Sequence, residues 1–482
     1  MTIRVRFAPS PTGYLHVGGG RTALYNRLFS QDRGEMILRS DDTDEARSTE
    51  EYATDIIESM HWLGLEWDEG IDVGGPHEPY RQSQRLDRYR AVADDLVSRG
   101  FAYYSFATSE QLDAFRKAAQ SAGKPPAYDG RYRLSDDEIA LRLEGGEVAP
   151  IRFAVGRPGS TVFADIIRGD MAFDHGQVDD FVILRSDRSP TYHLASTVDD
   201  VDFDISHVVR GEDLLSSTPK HILLTTAMGA EPPTYAHLPL LMGPDGSKLS
   251  KRHGHTAVNA YRKAGYLPEA LLNYLAILSW SPGDDEEIVL MSEMAMRFRL
   301  EDVSRNPAVF DVAKLEWMNG VYIRELSASD FVRRSSEFVE ADLGRQLTSD
   351  EQQTFSAIAP LVQERAKTLA EVGPQLRFLF SDEIEYDEDA WQKIMTKPEA
   401  ALAVGEAATR LASIDPWATE SIETSLRTML DEHELSARKG LQPIRVAVCG
   451  SAVSPPLFES LEALGQDRTL VRLADVNARL SG

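Results

Sequence analysis

A short alternating strand (Ile3, Val5, Phe7) runs into Pro9 and Pro11, then through Gly18-Gly19-Gly20 into a helical stretch from about residue 20 to 31. No other feature limits the fold of this chain as sharply. A buried run from 36 to 40 follows and ends at Asp41. Strand, helix, strand in that order specifies a parallel sheet with a helix N-terminus above the first strand's carboxyl end. That N-terminus carries unpaired N–H groups and partial positive charge, so it favours an anion. The glycines place no Cβ between backbone and ligand, and His16 can donate to a phosphate oxygen. Taken alone, the glycines fit a packed turn equally well.

A second cluster removes that ambiguity. Lys248-Leu249-Ser250-Lys251-Arg252 lies in a loop marked by Pro244, Asp245, Gly246 and Gly254. Two ammonium groups three residues apart can approach one anion, and lysine acts as a mobile point charge suited to a leaving pyrophosphate. A basic run is ordinarily a solvated loop. In an acidic chain, paired with an N-terminal phosphate signature, it reads as the far side of a nucleotide triphosphate site.

The chain is acidic, with 77 Asp and Glu against 51 Lys and Arg, a formal charge of −26 over 482 residues. That length leads to an expectation of about three domains. Such a charge is awkward for a nucleic-acid partner, because phosphate contacts dominate affinity. The first 39 residues are an exception, with six arginines (Arg4, Arg6, Arg21, Arg27, Arg33, Arg39) against Asp32 and Glu35. Acid collects elsewhere, at Asp284-Asp285-Glu286-Glu287 and from Asp382 to Asp389, where it would repel RNA from other surfaces. Binding through a local basic face, weakened sharply by salt, is expected. Cys449 is the one cysteine, which leaves no intrachain disulfide and fits a reducing cytoplasm. No secretory signal and no apolar run of membrane-spanning length is visible.

Periodicity supplies the remaining outline. A capping box at Ser48 and Glu51 opens a helix with Ala53, Ile56, Ile57, Met60 and Leu63 on one face. Another helix is predicted over 83–98. Residues 101–190, broken by Gly-Lys-Pro-Pro, Gly-Gly and Arg-Pro-Gly, read as an inserted domain. The sheet is expected to resume near Tyr192 and Val208-Val209, with a helix from Thr218-Pro219. Beyond the lysine loop the chain turns helical. The Leu271, Leu272, Leu275, Leu278 stripe is read as core packing.

Several runs together resemble one family. His16-Val17-Gly18-Gly19 is similar to the HIGH signature of class I aminoacyl-tRNA synthetases, and Lys248–Arg252 to their KMSKS loop. The Arg6–Gly13 run (RFAPSPTG), Asp41–Asp44, Pro190–Ala195, Arg210–Asp213 and Tyr266–Tyr274 resemble bacterial glutamyl-tRNA synthetases. The likeness runs from residue 3 to about 325 and continues more weakly through Pro443–Val448. It implies an α/β fold: a split Rossmann-like nucleotide-binding domain (1–81 and 192–245) with an inserted α+β acceptor-binding domain (82–191). A helical stem-contact domain (246–325) and an all-α anticodon-binding region (326–482) follow.

The resemblance also implies a chemistry. Glutamate would be joined to tRNA-Glu through a glutamyl-adenylate, with ATP as substrate and Mg²⁺ carried mainly by its phosphates. His16, Lys248 and Lys251 would be catalytic. Pro9, Gly18, Gly19, Asp213, Ser250 and Arg252 would join them around ATP. Arg6, Ala8, Ser10, Asp41, Tyr192, Ser196 and Arg210 would hold glutamate, the arginines facing its carboxylates and Asp41 its ammonium. The residue-level alternative for Arg6 and Arg210 is an ion pair with Asp41 or Glu212. Arg365 aligns where relatives set an arginine against the anticodon. Asp41 stands where many relatives have glutamate, so its ammonium contact is expected to be longer or water-bridged. Ser196 and Leu214 replace a frequent Asn and an aromatic or His. Segments 103–108 and 128–134, near a zinc site in some relatives, offer no Cys or His, so no zinc is expected. A monomer is implied.

Three other readings stay open on sequence. One is a non-discriminating enzyme that also charges tRNA-Gln. Another is a truncated relative that glutamylates a tRNA base, which the long C-terminal half opposes. The last is a non-catalytic RNA-binding paralogue, which intact His16, Lys248 and Lys251 oppose. A plain nucleotidylyltransferase would lack the glutamate-family runs.

Overall fold

The computed structural model describes residues 2–481, except Glu45, Asp284, Asp285 and the side chain of Lys251. The chain forms two compact units, residues 1–261 with 271–311, and residues 262–270 with 312–482.

The first unit is built on a parallel sheet. β1 (Ile3–Phe7) leads into α1 (Val17–Ser30), β2 (Gly34–Leu38), α2 (Glu50–Leu63) and β3 (Glu69–Gly70). β2 pairs with β1 from Ile3↔Gly34 to Phe7↔Leu38, and β3 pairs with β2. Gly34 is required there, since a Cβ would lie 1.7 Å from the Ile3 carbonyl oxygen. α1 begins three residues earlier than periodicity indicates. His16 caps it, accepting the Gly18 N–H, so the three glycines form its first turn. α2 is capped by Thr49, not by the expected Ser48–Glu51 box. The Ser48 N–H closes a turn onto the Asp44 carbonyl, which moves the helix start on by one residue. Glu51 instead accepts from the Tyr14 hydroxyl.

α3 (Leu86–Ser98) leads into the insertion: β4 (Ala102–Tyr104), α4 (Ser109–Ser121), α5 (Asp136–Glu144), β5 (Ile151–Phe153), the hairpin β6 (Ser160–Asp165) and β7 (Gly169–Asp174), and β8 (Val182–Leu184). β4, β5 and β8 form an antiparallel sheet. Residue 192 does not resume a strand as expected. Tyr192 opens α6 (Tyr192–Asp202), and Leu194, Ala195 and Val198 are fully buried at helical spacing. The short Tyr192–Ala195 segment, with His193 inside it, does not define a period; the burial of the following turn decides it.

The parallel half then returns with β9 (His207–Gly211), α7 (Thr218–Met228) and β10 (Thr234–Leu238). β9 lies beside β1, joined by the Ser206 N–H to the Arg4 carbonyl at 3.0 Å. The parallel strands β3-β2-β1 and β9-β10 therefore meet edge to edge at β1 and β9. Their order reverses between β1 and β9, where such sheets open a crevice at the strands' carboxyl ends. β6 joins the far edge through Tyr235↔Asp165. Leu271, Leu272 and Leu275 are buried, as core packing requires.

The second unit is helical, from Val312–Glu325 to Gln466–Ser481. One core holds it together, centred on Phe331, Phe355, Leu376, Leu426, Ile444 and Leu473.

Candidate active site

The crevice at the β1/β9 switch is a cavity of about 790 Å³. Its walls bring together Arg6, Ala8, Ser10, His16, Gly18, Gly19, Asp41, Tyr192, Arg210, Asp213 and Lys248. Residues more than 200 positions apart meet there because β1 and β9 lie side by side. Pro9, Ser196, Ser250 and Arg252 do not line it. Pro9 accepts the Asp41 N–H through its carbonyl, and Ser196 is fully buried. The side chain of Lys251 lies outside the described residues.

His16 is set up as a donor. Its Nδ1 accepts the Gly18 N–H at 3.0 Å, so the proton resides on Nε2. Burial, helped by the charge of Lys248, holds its pKa below the ordinary imidazole value and keeps the ring neutral. Across the mouth, Lys248 Nζ donates to Asp213 at 3.1 Å in a pair that is 63% and 51% exposed. Such pairs are weak, so the ammonium is available to a stronger anion. The loop behind it is shaped by Asp245, which accepts from the Ser247 N–H and hydroxyl and pairs with Arg252 and His253. These hydrogen bonds hold the Asp245 carboxyl well below its usual range. Ser250 is tied to His253, so Ser250 and Arg252 stabilise the loop's shape.

At the floor, charges are distributed differently from the expected pairing. Arg6 donates to Asp200 at 3.1 Å. Asp41 is gripped by Arg39, at 2.6 and 3.1 Å. Arg39 is fully buried and also contacts Asp200 at 2.8 Å, Asp199 at 3.6 Å and the Ser196 hydroxyl at 3.1 Å. Burial raises the Asp41 pKa to about 6 against the pull of Arg39. Arg39, Asp199 and Asp200 do not line the cavity; they form the buried charge network that holds Arg6 and Asp41, which do, and the sequence reading passed over them. Their signal was present: an arginine closing a buried strand, and two aspartates set between Val198 and Val201.

Arg210 is the exception. It is 3% exposed, and no carboxylate of the described residues lies within ion-pair distance of it. Its N–H groups go to neutral acceptors: His237 Nε2 at 3.2 Å, Tyr192 Oη at 3.1 Å, His221 Nδ1 at 3.3 Å, the Leu214 carbonyl at 3.2 Å and Thr218 Oγ1 at 2.9 Å. Glu212, the alternative partner, is engaged by Arg168. Burial first, and then the Arg210 charge, keep His221 neutral, with its pKa well below the ordinary value. A buried guanidinium surrounded by neutral groups and facing a cavity is an anion site waiting for its charge.

Residues 2–317 match the catalytic domain of class I tRNA synthetases for Glu and Gln (E and Q), and residues 330–477 match an anticodon binding domain. The chain belongs to the class I tRNA synthetases. This synthetase is 45% identical to a glutamate–tRNA ligase of Dehalococcoides mccartyi, with 99% of this chain and 98% of that one covered. It is 44% identical to a glutamate–tRNA ligase of Moorella thermoacetica over 98% and 97%. Among solved structures it resembles a glutamate tRNA ligase from Elizabethkingia meningosepticum in complex with its amino acid. That match has a TM-score of 0.85 and 34% identity over the whole of both chains. The α/β catalytic domain followed by a helical anticodon domain agrees with the architecture expected from sequence. Among the described residues, no helix is long and apolar enough to cross a membrane.

In the second unit, Arg365 is exposed and has no carboxylate within 4 Å among the described residues. Burial, with Arg365 alongside, lowers the pKa of Arg445 below its ordinary value.

Proposed function

We infer that this synthetase joins L-glutamate to tRNA-Glu at the expense of ATP. The observation that carries the reading is the uncompensated Arg210 guanidinium in the same cavity as His16 and Lys248. The arrangement supports two steps. In the first, a glutamate α-carboxylate oxygen attacks the α-phosphorus, the bond to the bridging oxygen breaks, and pyrophosphate leaves. In the second, a ribose hydroxyl of the tRNA 3′ end attacks the mixed anhydride and AMP leaves. No protein nucleophile is required; positioning and charge do the work.

His16 Nε2–H would donate to the α-phosphate as its charge grows, and Lys248 would exchange Asp213 for the departing pyrophosphate. Gly18 and Gly19 would let the phosphates approach the N-terminus of α1. Arg210 and the Tyr192 hydroxyl, with Arg6, would receive glutamate carboxylate, and Asp41 its ammonium. Glutamine would leave the Arg210 charge uncompensated, which favours rejection. Among the described residues no group of three His, Cys, Asp or Glu side chains is disposed to hold a metal. The cavity's cations and N–H groups fit a Mg²⁺ ion carried on the nucleotide, where it would neutralise phosphate charge.

Charging of labelled glutamate onto tRNA-Glu and tRNA-Gln transcripts, with His16→Ala as control, tests this. Glutamylation of tRNA-Glu that disappears in His16→Ala is expected. Charging of tRNA-Gln as well would overturn the strict specificity. Charging of neither, unchanged by His16→Ala, would overturn the catalytic assignment.

A further inference from the structure

Behind Arg210 lies a buried pair with no part in the chemistry above. Asp165 ends β6 and His237 lies in β10; both side chains are fully buried. Asp165 Oδ1 accepts the backbone N–H groups of Ile167 at 3.0 Å, Arg168 at 2.8 Å and His237 at 3.3 Å. Asp165 Oδ2 faces His237 Nδ1 at 2.6 Å. Three N–H groups on one oxygen prevent the carboxylate from rotating. Burial would raise its pKa, but these bonds and His237 more than offset that and hold it low.

An ionised carboxylate can only accept, so the proton between the two residues sits on His237 Nδ1. Burial, against the pull of Asp165, keeps the ring neutral. Nε2 then has a lone pair and no proton. It faces Arg210 Nε at 3.2 Å and the Thr218 hydroxyl at 3.1 Å. Both can donate. The opposite tautomer would set an N–H against the Arg210 N–H.

We propose that Asp165 and His237 are positioning residues that aim the Arg210 guanidinium at the substrate carboxylate, Asp165 by fixing the tautomer through which His237 accepts from Arg210 Nε. The inference rests on the assignment of Arg210 to the substrate carboxylate. A purely architectural role, pinning β6 to β10, would lower stability without singling out one substrate.

Asp165→Asn separates the two. The three backbone N–H groups keep the amide oxygen where Oδ1 was, so the amide N–H faces His237 Nδ1 and forces the proton to Nε2. Donor then opposes donor at Arg210. In steady-state aminoacylation of tRNA-Glu, the KM for glutamate should rise about 10- to 100-fold, the range of one charged hydrogen bond, with KM for ATP and kcat within about twofold. Adding His237→Gln places an amide oxygen near the old Nε2 position and should recover most of the loss. Equal changes in both KM values, or a double variant no better than the single, would overturn the proposal. Should Asp165→Asn not fold, His237→Gln against His237→Leu makes the same comparison: glutamate KM kept by Gln and raised by Leu, or the proposal fails. Arg210→Ala distinguishes the two levels. If it leaves the glutamate KM unchanged, the assignment of Arg210 falls, and this inference with it. If it raises that KM while Asp165→Asn does not, only the positioning role falls.

Discussion

Replacing Arg39 by methionine tests the electrostatic floor of the cavity. Arg39 is fully buried and contacts Asp41, Asp199 and Asp200. Arg6 and Arg85 supply the other two guanidiniums facing these carboxylates, so three positive charges oppose three negative ones. Methionine fills much of the volume but leaves one carboxylate uncompensated in a site that cannot hydrate it. The least costly remedy is to protonate Asp41, whose pKa is already about 6 through burial even with Arg39 in place. Holding Asp41 neutral at pH 7, one unit above its folded value in the wild type, adds about 1.4 kcal/mol. Breaking a buried ion pair independently costs about 3–5 kcal/mol.

The pH dependence discriminates between causes. The folded Arg39→Met variant keeps Asp41 protonated above pH 6, where the folded wild type loses that proton, so its deficit shrinks as pH falls from 7 to 5. Set against a wild type whose Asp41 titrates near 6, it should be about 1.4 kcal/mol larger at pH 7 than at pH 5. Urea denaturation followed by tryptophan emission at both pH values reads it, since Trp62, Trp67 and Trp280 belong to this unit. Adding Asp41→Asn should restore most of the loss at pH 7. A deficit equal at both pH values, or a double variant no more stable than Arg39→Met, would refute the buried-charge account and leave packing as the cause.

Two further outcomes are expected. His16 has a lowered pKa and must be neutral to accept the Gly18 N–H. Single-turnover charging should therefore hold its rate as pH falls through 6.5 and decline only below that, and a break at or above 6.5 assigned through His16→Ala would contradict this. Arg365→Ala should relax discrimination among tRNA-Glu transcripts with altered anticodons by about tenfold, the scale of one lost base contact; unchanged preference would remove Arg365 from recognition.

The nucleotide half of the site is legible in the chain because its chemistry is local. A helix N-terminus, its glycines and its histidine cap are consecutive residues, so Pro9–Gly20 reads as an anion site without knowledge of what lies opposite. The KMSKS-like loop is likewise one stretch. Helix start points were less legible: Ser48 and Thr49 are equivalent as caps on paper, and the Asp44 turn chose between them. The run at Tyr192 was ambiguous because four residues do not define a period.

The amino-acid half is a product of tertiary structure. Composition and order determine that arginines close strands and aspartates follow them, but not which pairs with which. Arg6 meets Asp200, Arg39 takes Asp41, and Arg210 is left with no carboxylate among the described residues. The Arg39–Asp41 pair is two residues apart, but Asp200 on α6 reaches Arg6 and Arg39 across 194 and 161 positions, which only the tertiary fold brings together. A guanidinium's charge is a property of its sequence position; whether that charge is spent within the protein or kept for a ligand is decided only when the sheet brings its neighbours within about 4 Å.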